Sequence, residues 1–389
     1  MRHGDQRLAK SGSGIPIEKT NMQRLLLFTA LCAASCSISS AGTLYLPAYP
    51  NAVIVFDEAQ AKIVDRIPLV TGTPMSIRLA ADHKKIYVTT MDHNGIEVID
   101  VATRKVVNHF VLNSGNITYR IYNGAPDPQG KLFYAVTEEI TKLAERYEVA
   151  KPKYTLVDLD QQKIVKMVDI PKEEEATNEG DWGVGAMDVS PDGKLLYQFG
   201  EKITVLQTAD FKVVDHIDLE KPEVPGMERV HFGQYGDFGG DLDLINEPGL
   251  HTAMFISADP VVHKRMFGLA KLDLSSRKID YSPIGPAPSG MSGLEVTPDK
   301  KMAYTVIANG DLGNKHCEFW SMDLTSNRIT QREPVPCRNR FTLGISSDGK
   351  KLYIYGAGFE IEVYDAATLK YEKTWDLNND VAGGIVVLP

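Results

Sequence analysis

Hydrophobic and polar positions along this chain follow a short β-type pattern with almost no helical periodicity. Apolar or alternating runs of roughly five to eight residues are separated by Asp, Gly and Lys. One order of segments returns: a small apolar strand, a turn, a strand rich in tyrosine and β-branched residues, an apolar strand ending in Asp, and a last strand. The clearest copies span Ser76–Leu112, Ala186–Leu219 and Leu343–Leu377.

Weaker copies of the same unit fill most of the remaining chain. They span Asn123–Ile170, Val230–Ile284 and Gly293–Val335. A partial copy at Leu44–Leu69 lacks its first strand, and the closing segment Ala382–Val387 has the composition of the missing strand. Six full units and one unit split between the chain ends are therefore predicted.

This repeat predicts an all-β fold, a seven-bladed β-propeller of four-stranded antiparallel blades. A repeat of roughly 40–55 residues has the size of a propeller blade. Pairing of the N- and C-terminal segments would close the ring and remove free sheet edges. We expect one propeller domain over residues 42–389.

The first 41 residues have the order of a secretory signal peptide. Arg24 precedes an apolar run from Leu25 to Ala34, and small residues follow as far as Ala41. The run is too short to span a membrane. Met22 is a second possible start of translation. We expect a periplasmic or secreted protein after cleavage near Ala41.

The cysteines fit export. Cys32 and Cys36 fall in the signal segment, which leaves Cys317 and Cys337, an even number that predicts one disulfide in an oxidising compartment. Two buried thiols are the alternative. Lipidation at Cys36 is a further alternative, although the usual leucine three residues before it is missing.

Composition and charge exclude several classes of function. The chain is 43% hydrophobic and 24% charged, which is typical of a globular protein. Its formal net charge is -9, and loss of residues 1–41 leaves 37 basic and 49 acidic residues, or -12. This acidic balance argues against a nucleic-acid partner. No further apolar stretch has the length of a membrane span.

Familiar catalytic motifs are missing from the sequence. It contains no nucleophile elbow, P-loop, dinucleotide fingerprint or HExxH, and no Cys-x-x-Cys-His for covalent haem. The histidines occur singly, without metal-ligand spacing. We therefore predict no catalytic residue on this chain.

Three charged residues are predicted to face the centre of the ring. Alignment of the units on their turn aspartates places Arg78, Asp188 and Glu295 at one equivalent position of the innermost strands. Buried charges require partners. Arg78 bridging carboxylates of other blades is one interpretation, and a divalent cation held by Asp188 and Glu295 is the other.

Three segments depart from the repeat and are candidates for function. They are Glu138–Lys153, with a short helix expected at its centre, Glu173–Trp182 and Gly233–His251. Aromatic, basic and histidine side chains near these loops and the strand mouths are candidates to face a partner. These candidates are Tyr119, Arg120, Tyr122, Trp182, His231, His251 and Arg340.

The chain resembles a known family of propellers. The stretch IYVTT (Ile86–Thr90) with GIEVIDVATRKVV is similar to the YVTN class of bacterial repeats. A closer resemblance is to the β subunit of quinohemoprotein amine dehydrogenase. It is carried by TLYLPAYPNAVIVFDEAQAKIVDRIPL, EEITKLAERYEVAKPKYTLVDLD, FGLAKLDLSSRKI and GISSDGKKLYIYGAGFEIEVYDAATL, in order over most of the chain after residue 41.

The resemblance implies a non-catalytic periplasmic subunit without a cofactor of its own. In that family the propeller holds a diheme cytochrome c subunit and a small subunit that carries cysteine tryptophylquinone and oxidises primary amines. The Cys317/Cys337 pair is not expected from the family. Two alternatives stay open: a metal-dependent lactonase-like enzyme with Asp188 and Glu295 as ligands, and a binding propeller with no enzyme attached. The amine is not specified.

Overall fold

The structure is all-β. The computed structural model describes residues 42–91, 95–175, 186–200, 202–222, 224–232, 247, 249–310, 312–338, 341–356, 358–381 and 383–389. Within these ranges the helical segments are two single 3-10 turns, Lys172–Glu174 and Leu312–Asn314. The prediction of an all-β chain is therefore confirmed.

The strands are short, as the spacing of the turn residues predicts. In chain order they are β1 (Thr43–Ala48), β2 (Ala52–Asp57), β3 (Lys62–Pro68), β4 (Pro74–Leu79), β5 (Lys85–Thr90), β6 (Gly95–Asp100), β7 (Lys105–Val111), β8 (Ile117–Pro126), β9 (Leu132–Lys142), β10 (Tyr147–Val149), β11 (Lys153–Asp158), β12 (Lys163–Asp169), β13 (Met187–Val189), β14 (Leu195–Phe199), β15 (Ile203–Gln207), β16 (Val213–Ile217), β17 (His231–Phe232), β18 (Leu250–Ala258), β19 (Arg265–Asp273), β20 (Ile279–Pro286), β21 (Gly290–Val296), β22 (Met302–Asn309), β23 (His316–Asp323), β24 (Arg328–Val335), β25 (Thr342–Ile345), β26 (Lys351–Tyr355), β27 (Gly358–Asp365), β28 (Tyr371–Val381) and β29 (Val386–Leu388).

The strands form a propeller arrangement of small antiparallel sheets. Four sheets have four strands in chain order, β4–β7, β13–β16, β17–β20 and β21–β24, and β8–β12 form a fifth sheet of five strands. All other described strands join one eight-stranded sheet in the order β25-β26-β27-β28-β1-β2-β3, with β29 also on β1. Five separate blades are thus found, and the prediction of seven separate four-stranded sheets is wrong.

The fusion of the first and last units has a local cause. β28 is eleven residues long and continues past its own hairpin, so that Val381 pairs with both Gly358 and Ala48. The amide of Tyr49 also donates to the carbonyl of Asp380 at 2.9 Å. These bonds join two units that the sequence treats as separate.

The two ends of the described chain meet in this sheet. β29 pairs with β1 antiparallel, and Val386 lies opposite Tyr45. It takes the place of the first strand that the partial copy lacks. This pairing saturates an edge that would otherwise be open to other chains.

The repeated turn aspartates have a direct structural role. Between the first and second strands the carboxylate of Asp192 accepts from the amide of Lys194 at 3.1 Å and from Ser190 Oγ at 2.7 Å. The next residue, Gly193, has φ of +72°, a left-handed conformation that favours glycine. The same turn recurs at Asp82, Asp299 and Asp348.

The two ends of the sheets differ in what they carry. We call the end with the connections between first and second and between third and fourth strands the turn end. Second-to-third connections and the links to the next sheet lie at the opposite end, which we call the loop end, because consecutive strands are antiparallel. Core clusters fill the space between consecutive sheets, for example Tyr197 and Phe199 against Phe255 and Leu272.

The third unit extends beyond the others at the loop end. β8 has ten residues and β9 eleven, and β10 adds a short strand along β9. The helix expected inside Glu138–Lys153 is wrong. Glu138–Lys142 continue β9, and the amide of Leu143 donates to the carbonyl of Arg146 at 2.8 Å, which reverses the chain within one turn.

Among the residues that the structure describes, no helix has the length and apolar character needed to cross a membrane.

Candidate functional site

Two of the three predicted central charges meet directly. Arg78 on β4 and Asp188 on β13 form an ion pair between Nη2 and Oδ1. Arg78 Nη1 also donates to the carbonyl of Met187 at 2.7 Å. The sheet β8–β12 lies between these two strands in chain order, so Arg78 reaches past one whole sheet.

A histidine that sequence reasoning assigned to a partner-facing loop completes this cluster. His251 Nδ1 donates to Asp188 Oδ2 at 2.5 Å. Its ring stacks on Phe199 with 3.7 Å between ring centroids and an interplanar angle of 15°. His251 is fully buried, so a partner-facing position is wrong for it. It lies at the turn end, at the start of β18.

His251 lies on the second strand of its sheet, unlike Asp188, which lies on a first strand. The first strand of the sheet of His251 is β17, His231–Phe232. Residues 233–246, most of the long loop that the sequence singled out, lie outside the described residues.

The cluster holds Asp188 in its charged form. Burial by itself would raise the pKa of Asp188, but the positive charge of Arg78 and the hydrogen bond from His251 outweigh it and lower the pKa to about 2. Asp188 is 5% exposed. A buried carboxylate of this kind is stable only because both of its oxygens have donors.

Glu295 is the third predicted central charge. It is half-buried on β21, and its charge adds to burial in raising the pKa of Tyr355. The equivalent position of the last unit is Gly344, where a Cβ would come within 3.3 Å of the Tyr355 ring. The hydroxyl of Tyr355 is buried and has no hydrogen-bond partner among the residues that the structure describes.

The geometry favours the ion-pair interpretation of the central charges over the metal interpretation. Both oxygens of Asp188 are engaged by Arg78 and His251. Within the described ranges no three or more His, Cys, Asp and Glu side chains are grouped as metal ligands would be.

Tyr119, Arg120 and Tyr122 lie at the loop end, on the extended part of β8. Tyr122 Oη donates to Glu138 Oε2 at 2.7 Å, and Arg120 Nη1 lies 3.6 Å from the same oxygen. Tyr119 Oη donates to Glu139 Oε2 at 3.0 Å. Burial and the bond to Glu138 raise the pKa of Tyr122 to about 12.

Glu138 was missed by sequence reasoning. It is 1% exposed, and within the described part of the chain its Oε1 has no hydrogen-bond partner. A signal exists in the sequence: Glu138 directly continues the buried run Phe133–Thr137 of β9. A carboxylate at the end of such a run has to be paired from the neighbouring strand, and β8 supplies Tyr122 and Arg120.

The remaining candidates are placed as follows. His231 begins β17 at the loop end and is exposed. Trp182 and Arg340 lie outside the described residues. Cys317 and Cys337 form the predicted disulfide, with 5.2 Å between Cα atoms, which confirms that prediction. Cys337 lies two residues beyond β24, in the link to the last unit.

Comparison with known proteins adds little to this picture. No family model matches the chain, and no curated protein matches it. Solved structures match at low identity. AztD from Citrobacter koseri has 13% identity over 90% of this chain and 98% of its own, with a TM-score of 0.48.

Two further structures match to a similar extent. The dihydro-heme d1 dehydrogenase NirN has 14% identity over 89% of this chain and 75% of its own, with a TM-score of 0.47. Hydrazine synthase of Kuenenia stuttgartiensis has 17% identity over 75% of this chain and 76% of its own, with a TM-score of 0.45. Because all three sequence identities are under 25% and all three TM-scores are under 0.5, we assign the fold from the sheet topology of the chain and not from these matches.

Proposed function

We propose that this chain is a periplasmic propeller subunit of the type found in quinohemoprotein amine dehydrogenase, with YVTN-like repeats. The observation that carries the proposal is the extension formed by β8, β9 and β10 at the loop end. This extension coincides with the insertion EEITKLAERYEVAKPK, one of the stretches on which the resemblance depends. A regular four-stranded blade has no need of it.

In this role the chain supplies a binding surface and its partners supply the redox chemistry. The proposed partners are a diheme cytochrome c subunit and a small subunit that carries cysteine tryptophylquinone. Tyr119, Arg120 and Tyr122 are proposed to face them, since aromatic and arginine side chains are enriched in interfaces. His231, Trp182 and Arg340 are proposed as further contacts.

We also propose that the eight-stranded sheet serves as two blades, which gives seven units in all. A core cluster lies between its two halves, where Phe56 packs on Trp375 with 4.8 Å between ring centroids. The same kind of cluster lies between separate sheets elsewhere.

Export to the periplasm is part of the proposal. The disulfide Cys317–Cys337 supports it, because disulfides persist in oxidising compartments. Cleavage near Ala41 would leave the described fold intact, since β1 begins at Thr43.

Native purification tests this function. The chain would be tagged at its C-terminus in the source organism and isolated from the periplasm, followed by subunit mass spectrometry and a visible spectrum with and without a primary amine. A haem c Soret band that amine reduces, with two further subunits, is expected. A colourless single chain would contradict the proposal.

A further inference from the structure

Large hydrophobic side chains that remain exposed concentrate at the loop end. Of the fourteen in the described part of the chain, ten lie in loop-end connections or at the adjoining strand ends. These are Tyr49, Val70, Met75, Met91, Val111, Tyr147, Val149, Val261, Val262 and Phe359. The other four lie on the outermost strands of their units. The concentration of ten of these side chains at one end indicates a surface that binds a partner.

Six of these residues follow one another around consecutive units, and we call them the crescent. They are Phe359, Tyr49, Val70, Met75, Met91 and Val111. Val70 is 67% exposed and Phe359 60%. They come from the last, first and second units, next to the β8–β10 extension.

Backbone bonds join the first part of the crescent into one surface. The pairing of Gly358 with Val381 places Phe359 beside the end of β28. The neighbouring residue Asp380 accepts the amide of Tyr49. Next along the ring, Asn51 and Leu69 exchange two hydrogen bonds of 2.9 and 3.0 Å.

In the second part of the crescent, a buried carboxylate connects the neighbouring segments by hydrogen bonds. Glu97, which is fully buried, accepts the amides of Val70 and Thr71 on Oε1, each at 2.7 Å. The amide of Met91 donates to the carbonyl of Thr73 at 2.6 Å. These bonds fix the connections in advance, which lowers the entropy lost when a partner binds.

The described parts of the connections that carry the crescent contain no charged residue. No Asp, Glu, Lys or Arg occurs in the described residues 49–51, 69–73, 112–116 and 383–385. The segment 92–94 lies outside the described residues, and its sequence contains one charged residue, Asp92. By contrast, the turn-end connections 80–84, 190–194, 297–301 and 346–350 each contain Asp and Lys. Depletion of charge is the compositional mark of an interface core.

We propose that the crescent is the docking surface for a folded protein partner whose contacting face is apolar and uncharged. The identity of that partner rests on the proposed function. Surface helices and segments that bind anionic membranes place Lys or Arg beside their apolar groups, and the described crescent connections have neither. The charged residues nearby form its rim and include both signs. Glu360 pairs with Arg338 at 3.4 Å, and Arg66 donates to Asn379, which is next to Asp380. Lys142 and Asn116 exchange two hydrogen bonds at the other end of the crescent.

The test compares two double variants of the full chain. Val70→Lys with Phe359→Lys places two cations in the crescent, and Val107→Lys with Val165→Lys places two at exposed positions of β7 and β12. Both pairs leave backbone hydrogen bonds in place, so equal melting temperatures are expected. Each variant and the wild type would be purified natively with quantification of co-purified protein and haem.

The expected result is a loss of partner recovery by roughly tenfold or more for the crescent variant, with full recovery for the control. If the crescent variant and the control variant recover equal amounts of a haem-bearing partner, the crescent is not the docking surface, and the proposed function is unaffected. Loss of a partner that carries no haem supports the crescent and contradicts the proposed function. Two results for the wild type would overturn the docking of a protein. In one, no protein co-purifies and the chain sediments with phosphatidylcholine–phosphatidylglycerol vesicles. In the other, no protein co-purifies and the chain does not bind the vesicles.

Discussion

Replacement of Arg78 by methionine tests the central ion pair most directly. Methionine keeps much of the side-chain volume and removes the charge, which leaves buried Asp188 with His251 as its donor. The pKa of Asp188 lies at about 2, against an ordinary value of 3.8. That difference corresponds to roughly 2 kcal/mol of stability near neutral pH.

The pH dependence has a definite sign. Because the pKa of Asp188 is lower in the folded protein, its contribution is complete above pH 3.8 and is lost as the pH falls through about 2. At pH 3 only roughly half of this contribution should remain. The destabilisation caused by Arg78→Met should therefore be smaller at pH 3 than at pH 7.

Urea unfolding of the wild type and Arg78→Met at both pH values provides the measurement. Arg146→Met is a matched control, because Arg146 pairs with Glu148 in an exposed position and should contribute less than about 0.5 kcal/mol. A destabilisation by Arg78→Met that is equal at both pH values, or no larger than that of the control, would refute the electrostatic account of this cluster.

Three further predictions concern stability. Cys337→Ser should cost about 3 kcal/mol in chemical unfolding, because the disulfide closes a loop with a sequence separation of 20; addition of Cys317→Ser should cost nothing more. Gly268→Ala should lower the melting temperature strongly, since its Cβ would collide with the carbonyl of Ser282, whereas Gly313→Ala, with open space around it, should not. Glu97→Ala should cost about 2–4 kcal/mol in urea unfolding because two amides and a hydroxyl lose their acceptor; a change under about 0.5 kcal/mol would contradict this.

The repeat, and with it the all-β propeller, was predictable from the sequence because its determinants are local. Each turn needs Asp followed by a residue in the left-handed conformation, as at Asp192-Gly193 and Asp348-Gly349, and these pairs recur at regular spacing. The disulfide was predictable because only two cysteines, Cys317 and Cys337, follow residue 41 in the sequence. The location of the β8–β10 extension was also visible, although its strand conformation was not.

Only the tertiary structure decided which distant residues meet. Arg78 and Asp188 are 110 residues apart, and His251 is a further 63 residues from Asp188, so no local pattern reveals that the three side chains meet. The fusion of the first and last units depends on one extra pair at the end of β28. The exposure of the crescent could not be predicted from the sequence either. A valine in a loop-end connection is not distinguished by its identity from a valine in a core strand, and only the packing of the sheets leaves the crescent exposed to solvent.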